Sequence, residues 1–294
     1  MKNHTFLLSI ITSMLLTGCQ LSSSSIISPS SISTNSETTS TSSTIEIDKT
    51  QKYQIGDATS SISIKEVENY YYDVDEYFDG NDFLTQLRML NENKLKNRVG
   101  YNSMWSYYGK TDYYSTPFSG TSGKFIAYYN GGASSKTGMN REHVWPASRT
   151  VLGRGEDPLE DDIHMVRPTL SSDNSSRGNA LFAEQGAWDP GSLGQKQYRG
   201  DVARIVFYCV ITNEQYGLLD VADTPSANHM MGKLSDLLKW NLEYPVSQSE
   251  MNRNDGIFLE TPQNNRNPFI DHPSYACKIW GNTNESTRSI CGIN

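Results

Sequence analysis

Between Arg199 and Tyr216 the chain carries Val202, Ile205, Val206, Cys209 and Val210 at helical spacing, the strongest helix signal in the sequence. A helix with that apolar face must be covered by other elements, so it constrains the fold more than any other segment. Gly217 can end it. The spacing of Phe83, Leu84, Leu87, Leu90 and Leu95 predicts a second helix over Asp82 to Asn97, with Asn81 or Asp82 as its cap. A third runs from about His229 to Leu242, with Leu234, Leu237, Leu238 and Leu242 inward and Pro245 following. Ser247 and Glu250 have capping-box spacing for another. Lys124 to Asn130 reads as a strand ended by Gly131-Gly132, and an aromatic, glycine-punctuated stretch before it reads as packed loops. Strands are few and short. The expected class is α+β with helices in the majority.

The N-terminus reads as an address. Lys2 precedes a short apolar stretch, Phe6 to Leu16, well below the roughly 20 apolar residues a membrane span needs. Leu16-Thr17-Gly18-Cys19 resembles the lipobox of bacterial lipoproteins, which implies a signal peptide over 1–18, lipidation of Cys19 and attachment to the outer side of a membrane. An ordinary secretory signal with a chance cysteine is the other reading, and either exports the protein. Residues 19–59 are dominated by Ser and Thr and cannot bury enough apolar surface to offset their ordering entropy, so they are expected to be a disordered tether. Residues 60–294, without internal repeat or second linker, are expected to form one domain. Cys209 sits in an apolar helical pattern and reads as core, whereas Cys277 and Cys291 either stay free or close a disulfide near the C-terminus.

A net charge of −8 argues superficially against a polyanionic partner, but the charge is segregated. Glu37 to Asp82 holds 11 acidic and 3 basic residues, and Arg88 to Arg154 holds 10 basic and 3 acidic. Such a basic block is either a surface that attracts nucleic acid or a solvated face with chance clustering.

Inside that block lies NREHVWPASR, residues 140–149, in a chain with only five histidines. A neutral imidazole can take a proton from water near pH 7, which makes His143 the candidate base. Neighbours on a strand point to opposite faces, so Glu142 and His143 serve one site only if the strand ends there, and Pro146 allows that. The plainer reading is that Glu142 forms a salt bridge and His143 packs in the core. Downstream, DDIHMVRP (161–168) holds a second histidine flanked by acids, and SSDNSSRGNALF (171–182) precedes an expected helix start. Asn174 or Ser175 could cap that helix. A carboxylate with an amide oxygen equally suits a lightly coordinated Mg²⁺.

NREHVWPASR, DDIHMVRP, DNSSRGN and NRNPFIDHP (265–273), in that order, resemble the bacterial endonuclease I family, secreted nucleases of the His-Me finger or ββα-metal superfamily. The resemblance runs from about Tyr70 through Trp280. It implies a mainly helical α+β domain around a small ββα-metal core, with His143 as general base and Glu142 and Asn174 as the protein ligands of one divalent ion. That ion would be Mg²⁺, with Mn²⁺ or Ca²⁺ as alternatives. The implied reaction is cleavage of DNA, and also RNA, with little sequence preference, leaving 5′-phosphate ends. Some members bind the scissile phosphate through an Arg in a longer, cysteine-containing insertion that this chain lacks. Arg149, Arg154, Arg167 and Arg177 are the candidates, and Arg154, between two glycines, is preferred. His164, Arg141 and Arg177 are expected to support the site. Arg266, Asn267 and His272 are read as scaffold, with Asp271 capping a helix near His272-Pro273. A monomer is expected. The competing readings are a non-catalytic surface lipoprotein that binds nucleic acid or glycan, and a zinc peptidase, for which the chain has neither HExxH nor HxxEH.

Overall fold

The computed structural model describes residues 48–114, 123–225 and 228–294. The expected signal peptide, Cys19 and most of the expected tether lie outside the described residues. Among the described residues, regular structure nevertheless begins at Lys52, within the segment expected to be tether. β1 (Lys52–Ile55) and β2 (Ala58–Ser63) form an antiparallel hairpin, and Gly56, at φ +55°, takes the first position of its two-residue turn. Ala58 and Ile62 are buried, and the Ser60 and Ser61 hydroxyls donate to the Asp255 carboxylate at 2.8 and 3.0 Å. A serine-rich segment is ordered here because a buried acid satisfies its polar groups.

After the hairpin come α1 (Ile64–Tyr70), α2 (Gly80–Lys94) and α3 (Met104–Thr111). Phe83, Leu84, Leu87 and Leu90 of α2 are buried as their spacing predicts. The strand expected over 124–130 shrinks to β3 (Phe125–Ile126), paired with β4 (Ala133–Ser134). β5 (Met139–His143) and β6 (Val166–Leu170) form a separate antiparallel pair, followed directly by α4 (Ser171–Arg177). Tyr128 extends this pair: its amide donates to the Pro168 carbonyl at 2.9 Å, and the Thr169 hydroxyl donates to its carbonyl at 3.0 Å.

α5 (Tyr198–Thr212) is the axis of the domain. Its apolar spacing predicted one inner face, yet every residue from Gly200 to Ile211 is buried, because α2 packs on it together with elements that follow. It stops at Thr212, so Gly217 lies beyond its end, in β7 (Gly217–Leu218), which pairs in parallel with β8 (Met230–Met231). α6 (Leu234–Glu243) and the four-residue α8 (Pro268–Asp271) cover α5, and α7 (Gln248–Glu260) lies against α3 and β2. The Ser247–Glu250 capping box that starts α7 is complete. α9 (Tyr275–Trp280) and α10 (Glu285–Ile290) close the C-terminal end.

Asp271 does not cap the helix after it. Its carboxylate receives two bonds from the Arg266 guanidinium, at 2.7 and 2.8 Å, and one from Tyr71, so Ser274 precedes α9 instead. The helix expected after Asn174 begins earlier, at Ser171, and contains Asn174. Cys277 and Cys291 are joined by a disulfide across 14 positions of sequence.

Closing a loop of that length stabilises by roughly 3 kcal/mol in the chain-entropy account. Cys277→Ser should therefore lower the urea midpoint by a corresponding amount. Reductant should lower the wild type to the same value and leave the variant unchanged.

Candidate active site at the end of a strand pair

In the β5–β6 ladder Glu142 faces Arg167 and His143 faces Val166. Strand alternation sends the Glu142 side chain inward, where it is 1% exposed, and leaves Arg141 and His143 on the other, partly open side. Glu142 and His143 still line one cavity, of about 180 Å³, because β5 stops at His143 and the cavity sits at its end. Pro146, Arg154, Asn174 and Arg177 line it too.

Although Glu142 and Arg167 are ladder partners, Arg167 is held elsewhere, 3.0 Å from both Asp112 and Asp201. Glu142 instead accepts from the Tyr129 hydroxyl at 2.8 Å and lies 3.4 Å from Arg177. Burial pushes its carboxyl up from the ordinary value, and Arg177 and the Tyr129 bond pull it back. Asn174 projects from α4. Its amide nitrogen donates to the Asn140 side chain at 2.8 Å and towards the Arg141 carbonyl at 3.4 Å, which turns its oxygen away from those acceptors.

Glu142 and Asn174 thus offer a carboxylate and an amide oxygen, both hard donors, at the cavity. Among the described residues no group of three His, Cys, Asp or Glu side chains is placed to hold a metal. One carboxylate and one amide oxygen leave most coordination positions to water and substrate, which fits Mg²⁺ and does not fit a closed structural zinc site.

His143 is mostly enclosed. Its Nε2 is sealed from solvent without a hydrogen-bond partner, with Glu160 Oε2 at 3.5 Å. That separation counts as an ion pair only if the imidazole is charged. Burial, followed by Arg154, Arg177 and Arg141, holds the imidazole down to about 4, so the ring is neutral near pH 7 and the pair is not ionic there. Nδ1 is bonded to nothing among the described residues and is not sealed from solvent. Glu160, which the sequence reading did not single out, is brought to the site by the 3₁₀ turn 158–161, capped by Asp157.

The four candidate arginines separate cleanly. Arg149 is buried and donates to the Asn179 carbonyl, and Arg167 lies in its buried ion cluster. Arg177 donates to the carbonyls of His143 and Val144 at 2.9 and 2.7 Å. Arg154 alone is exposed, and no hydrogen bond or ion pair engages its guanidinium among the described residues. Gly153 and Gly155, both at φ +86°, set the turn that carries it, and the Gly155 amide donates to Glu160 at 2.7 Å. Arg141 donates to the Tyr101 carbonyl and stacks on the Tyr101 ring. His164 is away from the cavity, fully enclosed beside Tyr208, with Nε2 3.3 Å from the Asn265 carbonyl.

The family model described as Endonuclease I matches residues 49–274. An extracellular ribonuclease of Bacillus amyloliquefaciens is 36% identical over 204 residues, covering 62% of this chain and 69% of the relative. An extracellular ribonuclease of Bacillus subtilis (strain 168) is 38% identical over 161 residues, covering 48% of this chain and 54% of the relative.

Burial, with Arg253 adding to it, holds the His164 imidazole down to about 3 from its ordinary 6.5. The unfolded chain therefore binds a proton there that the folded chain does not, and stability falls as pH drops from 6.5 towards 3. Urea midpoints between about pH 7 and about pH 5 should fall less steeply for His164→Gln than for wild type. The difference between the two proteins isolates this residue from Asp201, whose carboxyl burial pushes up and whose linkage has the opposite sign. Parallel falls in both would rule the linkage out.

Proposed function

The chain belongs to the endonuclease I family, and from that membership we propose that it is an exported, metal-dependent endonuclease acting on DNA and RNA with little sequence preference. The observation that carries the reading is the shared cavity at the end of β5, where a carboxylate, an imidazole, an amide oxygen and an unpaired arginine converge. The relatives' names, extracellular ribonucleases, support RNA as a substrate and export as the destination. Cys19, in its lipobox-like context, would anchor the protein to the outer side of a membrane. The strand–strand–helix order of β5, β6 and α4 supports the reading of a ββα-metal core.

His143 Nδ1 takes a proton from water as that water attacks phosphorus. Neutrality at pH 7 leaves the lone pair available, and burial keeps competing solvent away. Arg154 binds the scissile phosphate and offsets charge that grows on it in the transition state. Glu142 and Asn174 would hold a divalent cation, Mg²⁺ by the hardness of its donors. When bound, that cation would supply Lewis-acid stabilisation of charge building up in the transition state. Breaking the bond to the 3′ oxygen leaves a 5′-phosphate product. Arg177 holds Glu142 and the backbone of His143 in place, so its part is structural.

Incubation of the full mature chain with plasmid and RNA, with Mg²⁺ and with EDTA, tests the reading. The wild type should cut both substrates only with the metal, and binding without cleavage would favour a non-catalytic capture protein. His143→Ala should lower kcat by about 10²- to 10⁴-fold, the usual worth of a positioned base, without unfolding the protein. Glu142→Ala and Asn174→Ala should raise the Mg²⁺ concentration needed for half-maximal rate. Arg154→Ala should slow cleavage at saturating metal. A fully active His143→Ala would sink the mechanism.

A further inference from the structure

The neutral imidazole of His143 raises a mechanical question. A general base must hold its lone pair in line with the water it deprotonates, and rings are usually fixed by a hydrogen bond to the other nitrogen. Here Nε2 makes none, and Glu160 at 3.5 Å is too far to fix the ring plane. Something else must hold the ring. The contact available to its face is Tyr101, whose ring lies 5.1 Å from the imidazole centroid at an interplanar angle of 25°.

We propose that Tyr101 is a positioning residue for His143, fixing the imidazole plane by stacking where no hydrogen bond does so. The centroid separation falls in the range where aromatic pairs attract, and near-parallel planes limit rotation of the imidazole about its own χ2. Tyr101 can serve as a reference because it is itself anchored. Its amide donates to the Asp161 carboxylate at 2.6 Å, and the Gly100 amide donates to the Asp161 carbonyl at 3.2 Å. Arg141 secures it from β5, donating to its carbonyl while the guanidinium carbon sits 3.4 Å from the ring centroid. Arg141 and His143 are two residues apart on one strand and so share a side, and the single Tyr101 ring touches both. The 3₁₀ turn 158–161 joins this assembly to the site, since Glu160 faces the imidazole while Asp161 holds Tyr101. The phenol hydroxyl has no hydrogen-bond partner among the described residues, so the ring face, not the hydroxyl, is the functional part.

This inference rests on His143 being the base of a nuclease, and its test separates the two claims. In the full, metal-free chain, NMR should give cross-peaks between Tyr101 and His143 ring protons, with the His143 resonances shifted upfield by the tyrosine ring current. Tyr101→Leu, which keeps apolar bulk without an aromatic face, should abolish that shift. It should also lower kcat about 10- to 100-fold with KM nearly unchanged, as a misplaced catalytic group does. Tyr101→Phe should retain both the shift and the rate. Absent cross-peaks, a Leu variant with wild-type kcat, or a Phe variant as impaired as Leu would each overturn the proposal. The cross-peaks are read on the wild type, so the stack is decided even if the Leu variant fails to fold. A wild type that cuts neither plasmid nor RNA refutes the nuclease reading, a result distinct from loss of the stack.

Discussion

The guanidinium of Arg177 is the tie on which the site depends. It is the last residue of α4, and it reaches back to the carbonyls of His143 and Val144, the two residues where β5 gives way to irregular chain. The same group lies 3.4 Å from Glu142 and over the face of Phe182. A strand end has carbonyls that no neighbouring strand can satisfy, and a buried carboxylate needs a counter-charge. Arg177 meets both needs with one buried cation. It thereby stops β5 at the residue where side chains on opposite strand faces can reach a common cavity. Removing it would leave Glu142 enclosed without its cation, which costs more than the pair contributes.

Behind this tie lies a frame of buried ion pairs. Asp112 receives both Arg167 and Arg253, Arg167 also reaches Asp201, Arg204 forks onto Glu250, and Arg266 bridges Asp255 and Asp271. Such pairs repay little of their desolvation, so their value here is register more than net stability. Arg167 shows how this works. Opposite Glu142 in the ladder, it would be the obvious partner for that carboxylate. Asp112 and Asp201 draw it to the other side, so Glu142 faces Tyr129, Arg177 and the cavity instead.

What the sequence made legible follows from locality. The α7 capping box is a four-residue pattern and formed as read, and the α2 stripe buries Phe83, Leu84, Leu87 and Leu90 as read, although the helix starts earlier, after Asp79, and stops before Leu95. Glu142, His143 and Asn174 were singled out by an ordered set of motifs, and the fold puts all three at one cavity. Long-range pairing was not legible. The hairpin of Lys52–Ser63 was hidden because its Ser-rich composition looks solvated until Asp255, nearly 200 residues away, supplies acceptors. Glu160 and Tyr101 carry no local signature, since what matters is that one 3₁₀ turn meets the imidazole and the Tyr101 amide at once. The basic block was legible as charge but not as position: Arg149 is buried and Arg141 stacks on an aromatic ring, whereas Lys96, Lys110, Lys124, Lys136 and Arg154 are exposed.

The arginines around His143 therefore act in two directions. Arg154, Arg177 and Arg141 each disfavour a second positive charge and help hold the imidazole down to about 4. A base that weak accepts a proton reluctantly, which protects it from protonation in an acidic environment but would handicap it in catalysis. Under the proposed mechanism, a phosphodiester entering beside Arg154 would bring negative charge to this cluster. It would offset the cations that, after burial, depress the imidazole. On this account the positive cluster is not merely an attractant for a polyanion. Under the proposed mechanism it would also link the proton affinity of His143 to the charge of what occupies the cavity, with burial, the largest cause of the depression, left in place.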